Sequence, residues 1–574
     1  MNLAEYYASE LNFLRETARA FAQEHPALAG ALQERGTDPD VERLLEGVAF
    51  MTAGLRARID QTGAQVAHGL AELVLPHYLR SLPATTVVEF LPNPKTLRLR
   101  QHVPAERPLL ARAVDGTACR FRTCFPVDLW PLTVGEIRID DSLPRNPRLD
   151  LQLELFESGR VALADPQPLR FYIHHADAAV TTTLLLWLTE HLSGITVLTG
   201  TGVTHRLPAE SVRVLPTAAS AVLPWLDSAP VGYRSVLEFF ALPEKFYFFE
   251  LSGLHTLALA DPKLTVQFEF ERPPPLPAAL GPTPIRLHCT PAINLFEAPG
   301  EPLTRGPLTR ESLVRADGID PRHMEVYEVR SAIAVSRTHG GRRSFVPFAR
   351  AGHVNGGMAP AFSLRRALSP VDEGIDTYIS LIDPPDARAG LDEEVVSLQL
   401  LCTNRALPGN LHLGDIQEDL RGALYRGYTN ITPVAPPVRM ALGSDALWRL
   451  LSHLALNQRG PADAESLRGL LHLYNFHGAA NAQRGRLSAR TIDAVRDVRR
   501  EAVTRLVRGV PIRTVRTTVE LDERGFLGLG HARLFGCVLD DLYGSHININ
   551  VASELRTVLS PSRVEFTWPV RIGD

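Results

Sequence analysis

Residues 41–73 read VERLLEGVAFMTAGLRARIDQTGAQVAHGLAEL. Val41, Leu45, Val48, Thr52, Leu55, Ile59, Thr62, Val66, Gly69 and Leu73 follow one another at spacings of four and three. That rhythm lays them on one stripe of an α-helix, and Leu44, Met51 and Leu70 widen the stripe. A seam of this length packs against other long helices. A preceding stretch has the same period: Tyr7, Leu11, Leu14, Ala18 and Phe21 share one face, and His25-Pro26 ends it because the residue before proline avoids the helical region. A turn near Gly36 follows, with Asp38-Pro39 as cap and first helical residue. Two helices alone bury too little. The bundle is completed either by the rest of this chain or by another one.

Beyond Leu82-Pro83 the period changes. TTVVEFLP, LRLRQHV, CRFRTCF, EIRID, LQLELF and LRFYIHH alternate apolar and polar residues between Pro, Gly and Asp turn signals, as β-strands do. TTTLLLWLTEHLSG interrupts them as a helix expected to end at Gly194. A second β-rich stretch contains VLEFFALPEKFYFFELSG (Val236 to Gly253), LTVQFEFE, PIRLHCTPAINLFE, MEVYEVRSAIAV, TYISLID and VSLQLLCTN. Residues 271–284 are a proline-rich connector and 432–443 a linker. The remainder is mixed: SDALWRLLSHLALN opens on Ser444 as a helix cap, ESLRGLLHLYNF and HARLFGCVLDDLY read as helices, and IRTVRTTVELDE and VEFTWPV as strands. The expected class is α+β and multidomain: a helical bundle segment at 1–82, a β-rich domain at 83–215, a second at 216–435 and a mixed α/β domain at 436–574.

Composition narrows the function. The chain has 574 residues, of which 45% are hydrophobic and 22% charged, enough to bury several cores. Sixty basic residues face 64 acidic ones, so no field selects nucleic acid or an anionic membrane. Arg342-Arg343 and Arg499-Arg500 are local pairs of the kind that sit on solvated surface. Cys119, Cys124, Cys289, Cys402 and Cys537 are odd in number and scattered, which fits a reducing compartment. Glu5, Glu10, Arg15, Glu16 and Arg19 break up any leader-like apolar run, and no apolar stretch reaches the ~18 residues of a membrane span. A soluble, cytoplasmic protein is expected.

The catalytic and ligand candidates each fall short of a motif. Cys119 and Cys124 offer two of the four ligands a zinc site needs, and their odd spacing on a strand turns them to opposite faces. His174 and His175, near Asp177, diverge for the same reason. The glycine run Gly525 to Gly536 is neither GxGxxG nor a phosphate loop, and reads as a tight passage from strand to helix. Asp383, Asp386, Asp392, Glu393 and Glu394 form an acidic stretch around two prolines, expected to be a solvated loop. No nucleophile elbow occurs. The reading is of a chain with no catalytic residue, no metal and no cofactor. An enzyme processing carbohydrate or peptide, with those carboxylates and histidines gathered in one pocket, is the alternative of another class.

Several fragments in order carry a resemblance. They are Tyr6-Tyr7 with Glu10-Leu11, Leu14-Arg15 and FAQEHPALAG; DPDVERLLEGVAF with the exit LAELVLPHYL; LEFFALPEKFYFFEL; CTPAINLFE; LLCTNRALP; SDALWRLLSHLALN; RGVPI; and DERGFLGLGHARLFGCVLDDLY with Trp568 and Arg571. Together the chain resembles the TssF (ImpG/VasA) family, the baseplate wedge component of bacterial type VI secretion machines. The stretch after Arg305 and GRLSARTIDAVRDVRR match that pattern less closely. The equivalent subunit of a related phage-like contractile injection system shares the architecture.

The resemblance implies a structural scaffold. Its implied partners are a TssG-like subunit, a second copy of the chain, a TssK-like subunit, the sheath initiator and the spike hub. Its implied place is the cytoplasm, at a baseplate docked to the inner membrane. The N-terminal helices of such proteins enter a bundle between subunits, which matches the seam. The expected partner-binding residues are Tyr7, Leu11, Leu14, Val41, Leu45, Val48, Leu55 and Ile59. Each Leu or Val buried there contributes roughly 1.5–3 kcal/mol before association costs.

Overall fold

The computed structural model describes residues 3–24, 39–140, 147–156, 163–215, 220–225, 229–257, 262–277, 280–281, 283–306, 309–336, 341–353, 359–369, 374–383, 394–419, 425–440, 448, 452, 460–476, 482–507, 509–547 and 551–572. The described α-helices are α1 (Leu3–Glu24), α2 (Pro39–Val74), α3 (Ala178–Glu190), α4 (Val231–Ala241), α5 (Ala464–Leu473), α6 (Ala482–Asp493) and α7 (Leu529–Gly544). The mixed α+β class expected from sequence is what the chain adopts. It divides into two compact units, one of residues 1–79 with 441–452, the other of 80–440 with 453–574.

The first unit is a helical hairpin. Glu10 pairs with Arg56 and Arg15 with Glu42, an order that reverses along the chain and makes α1 and α2 antiparallel. Glu42, Leu45, Ala49, Ala53 and Arg56 therefore lie on the face of α2 turned to α1. Ala49 and Ala53 are fully buried there, so small side chains allow close approach.

The second unit is built from interleaved sheets. One is six-stranded, in the order 417–419, 425–430, 85–92, 289–293, 117–123, 108–114. Its two ends meet, the Arg112 amide donating to the Asp415 carbonyl at 2.9 Å, so it curls around Val88, Phe90, Leu109, Cys119 and Phe121. An antiparallel five-stranded sheet runs 204–207, 192–199, 263–270, 148–155, 132–140, and a four-stranded one 212–214, 248–251, 169–173, 285–287. The largest sheet centres on the long pair Glu325–Ser336 and Glu394–Thr403. In the C-terminal sheet Val510–Asp522 and Ala552–Ser560 are parallel, which demands a crossover, and α7 supplies it.

Two features hold α7 in place. A side chain at Gly530 would overlap the backbone of Thr182 in α3, and one at Gly536 would overlap the ring of Trp568. Close backbone approach is thus the reason for this part of the glycine run. The helix start is packed against another helix rather than open to an anion.

Four local expectations are corrected. The helix at Ala178 stops at Glu190, not at Gly194, because Gly194 belongs to the Leu192–Thr199 strand and pairs with Glu269. VLEFFA is helical within α4, and only Phe248–Leu251 of that stretch is a strand. Its continuous apolar run is buried around most of the helix (Val236, Leu237, Phe239, Phe240), a setting in which periodicity distinguishes nothing. The described part of 432–443 is a strap rather than a loose linker: Ala435 and Val438 exchange backbone hydrogen bonds with Thr85 and Leu82 at 2.8–3.2 Å. Of LRLRQHV, only Gln101–Val103 is a strand.

Glu238 of α4 and Lys245 form an ion pair with no exposed side-chain surface. The Glu238 carboxylate also accepts from the Val222 and Leu223 amides at 2.9 and 2.8 Å, and Lys245 donates to the Ser220 carbonyl at 3.0 Å. Burial pulls the Lys245 ammonium down from its ordinary range, and Glu238 opposes that pull. Removing one member strands a charge in the core. Glu238→Leu is expected to cost about 3–5 kcal/mol in urea unfolding, and Glu238→Leu with Lys245→Met to recover more than half of it; equal losses from the single and double variants would contradict this account.

Candidate functional site

The hairpin carries an apolar surface that its own packing does not use. Leu44, Val48, Met51 and Leu55 lie at spacings of four, three and four on α2, and are 69%, 46%, 70% and 60% exposed. Phe50 and, on α1, Phe13 and Phe21 are exposed as well. Single exposed apolar residues are ordinary on protein surfaces, but a heptad-spaced row of large ones marks an interaction face. A Cβ at Gly47 or Gly54 would meet nothing within 4 Å, so the backbone beside the row is open to close approach.

The residues predicted from the seam divide between two faces. Leu11 is buried, and Tyr7, Leu14 and Leu45 are half-buried. Val48 and Leu55 are on the outward row. The side chains of Val41 and Ile59 lie outside the described residues. A single four-three rhythm could not separate the inner face, with its alanines, from the outer one. Leu44 and Met51 were visible only as widening the stripe, and Phe13 and Phe50 were missed because they fall off it. Of SDALWRLLSHLALN only Trp448 and Ser452 are described; both are helical and Trp448 is exposed.

The catalytic candidates have structural employment. Cys119 is buried in the curled six-stranded sheet, whereas Cys124 packs against the main core. Burial pushes the Cys119 thiol up to about 11 and Cys124 higher, away from thiolate chemistry. Asp177 caps α3, accepting from the Ala179 amide at 2.8 Å, and its own amide donates to His175 Nδ1 at 3.0 Å. His174 follows the end of the Leu169–Ile173 strand, and burial lowers its basicity. Asp383 and Glu394 are cross-linked by Arg305 and Arg343. Arg305 reaches them at 2.6 and 3.2 Å, and Arg343 reaches Asp383 at 3.1 Å and also pairs with Glu394. Two carboxylates neutralised by two guanidiniums are tied into the sheet rather than placed as acid and base. Asp386, Asp392 and Glu393 lie outside the described residues. Among the described residues no three His, Cys, Asp or Glu side chains gather as a metal site would require, and no helix is long and apolar enough to cross a membrane.

Comparison with known proteins agrees with an assembly role. The family model for the type VI secretion system protein TssF matches residues 1–574. The type VI secretion system component TssF1 of Pseudomonas aeruginosa is 31% identical, the match covering 97% of this chain and 96% of that protein. A chain of the TssK-TssF-TssG baseplate subcomplex, solved by cryo-electron microscopy, superposes with a TM-score of 0.76 at 26% identity, covering 92% of this chain and 99% of its own. A chain of the type VI secretion baseplate complex gives 0.64 at 25% identity over the whole of both.

The outward row makes a direct prediction. Met51→Glu with Leu55→Glu is expected to lower the fluorescence of a bound hydrophobic dye and to reduce self-association in sedimentation, with the far-ultraviolet dichroism unchanged. Undiminished dye binding would show that the exposed apolar surface lies elsewhere.

Proposed function

We propose that this chain, which belongs to the TssF family of type VI secretion baseplate components, acts as a non-catalytic wedge scaffold whose N-terminal hairpin completes a helical bundle with a TssG-like subunit. The observation that carries the reading is the row Leu44, Val48, Met51 and Leu55, large apolar side chains turned to solvent at coiled-coil spacing. Burying each contributes about 1.5–3 kcal/mol, so four supply a useful share of an assembly interface even after ordering costs. The inner face, with Tyr7, Leu11, Leu14 and Leu45, shapes the hairpin that presents the row.

The wider reading rests on the family. One solved structure it resembles is described as a TssK-TssF-TssG baseplate subcomplex. For this chain we therefore infer a TssG-like partner, a TssK-like partner and a second copy of itself, with contacts to the sheath initiator and the spike hub. Its place is then the cytoplasm, at a baseplate docked on the inner membrane. Catalysis has no part in this role; of the groups considered for it, Asp177 caps a helix and Asp383 and Glu394 are held in ion pairs.

Co-expression with the TssG-like subunit tests the proposal. A hetero-complex whose mass by light scattering requires more than one copy of this chain is expected. Val48→Asp with Leu55→Asp is expected to abolish co-purification while the chain's melting temperature stays within about 2 °C, since both side chains are exposed. An intact complex from the folded double variant would overturn the assignment of the interface.

A further inference from the structure

Within the second unit, the hairpin of Val495–Val507 and Val510–Asp522 ends in an arm. Ala552–Ser560 accompanies Val510–Asp522 only as far as Thr514, which faces Ala552. Beyond that point residues 504–507 and 510–513 pair with each other alone, and a two-stranded ribbon of this kind is marginal by itself in water. Leu506 in the ribbon is 77% exposed, more than any other large hydrophobic side chain among the described residues. Ala502, Thr504 and Val510 are exposed as well.

Val495–Val507 is also the outer strand of its sheet and pairs on one side only. The first peptide groups on its open side are taken by the chain itself. The Val495 carbonyl accepts from Arg468 at 2.8 Å, and the Val498 amide donates to Asp497 Oδ1 at 2.9 Å. From Val498 onward the alternation of an antiparallel ladder turns the even-numbered residues to that side. The peptide groups of Ala502, Thr504 and Leu506 have no partner there among the described residues. An edge left bare in this way is a template for another strand. The side chains of Glu501 and Arg505 share a face with Val503 and flank it symmetrically. Arg505 gives Nε and Nη2 to Glu554, whereas Glu501 makes no ion pair among the described residues.

We infer that this edge pairs with the same edge of a second copy of the chain, antiparallel about a two-fold axis at Val503, and joins the two sheets into one. The pairing rests on the reading above that two copies share one assembly. The peptide groups of Ala502 then meet those of Thr504, each twice by symmetry. Glu501 of each copy faces Arg505 of the other, and Leu506 lies along the aliphatic stem of the other copy's Arg500. Charge selects this register. A slip of one residue sets Arg499 against Arg505 in one direction and leaves Glu501 and Arg505 without an opposite charge in the other. A slip of two sets either Glu501 or Arg505 against itself. An overlap this short does not hold a dimer alone. It closes once the wedge brings two copies to a high effective concentration.

Cross-linking in the co-expressed complex with the TssG-like subunit tests the pairing. Val503 faces Val503 at a non-hydrogen-bonded site, where Cα atoms lie about 4.5 Å apart, within reach of a disulfide. Under mild oxidation Val503→Cys is expected to yield a covalent dimer of this chain about tenfold faster than Leu506→Cys, whose side chain is more exposed but lies far along the strand from its own counterpart. Glu501→Arg added to Val503→Cys sets arginine against arginine, and is expected to slow the cross-link by about threefold or more. Light scattering on the same preparation separates the two ways to fail. No complex, or one holding a single copy, would refute the two-copy reading and the inference with it. Two copies that do not cross-link at 503, that cross-link equally at 503 and 506, or that ignore Glu501→Arg would leave that reading standing and overturn the strand pairing.

Discussion

The contact between Gly530 and the backbone of Thr182 sets how deeply α7 lies in the second unit. It lets α7 lie directly on α3, and from that position the same helix reaches α4, where a side chain at Gly232 would overlap Leu542. Because α7 is also the crossover between two parallel strands, its depth fixes the C-terminal sheet against the core formed by the five- and four-stranded sheets. The ion pairs of Arg571 with Asp540 and Asp541 and the packing of Trp568 over Gly536 then fasten the last residues of the chain to the same helix. The glycine run that resembled a ligand loop in composition is spent on this close packing.

Against that rigid body, the hairpin follows a different logic. Its inner face is small and satisfied by ion pairs, and its outer face carries large apolar side chains with nothing of their own helices to cover them. A chain that needed only a stable hairpin would place polar residues at positions 44, 48, 51 and 55. Leucine, valine and methionine there leave an apolar row exposed that favours association over solubility.

The class, the helical opening and most strands were legible because local period reports them: Arg148–Leu155 alternates between half-buried and buried without a break. The helix–strand confusion at VLEFFA was not resolvable by the same means, since a segment buried on nearly every side has no polar face to set a period. Sheet membership was less legible still. Thr85–Pro92 pairs with Cys289–Ile293 and Tyr425–Asn430, and no local signal encodes partners so distant. At the candidate interface, the sequence exposed the seam but not which half of it faced inward. That depended on Ala49 and Ala53, whose small size marks close approach rather than hydrophobic strength.

The curled six-stranded sheet also bears on how the protein comes into being. Val88 finds one neighbour at Thr290 and the other at Asn430, and the strand 417–419 pairs in turn with 425–430. During synthesis the Thr85–Pro92 strand, apolar and with both edges bare, must wait while most of the chain is still being made. For that interval it is among the segments of the nascent chain open to wrong pairing.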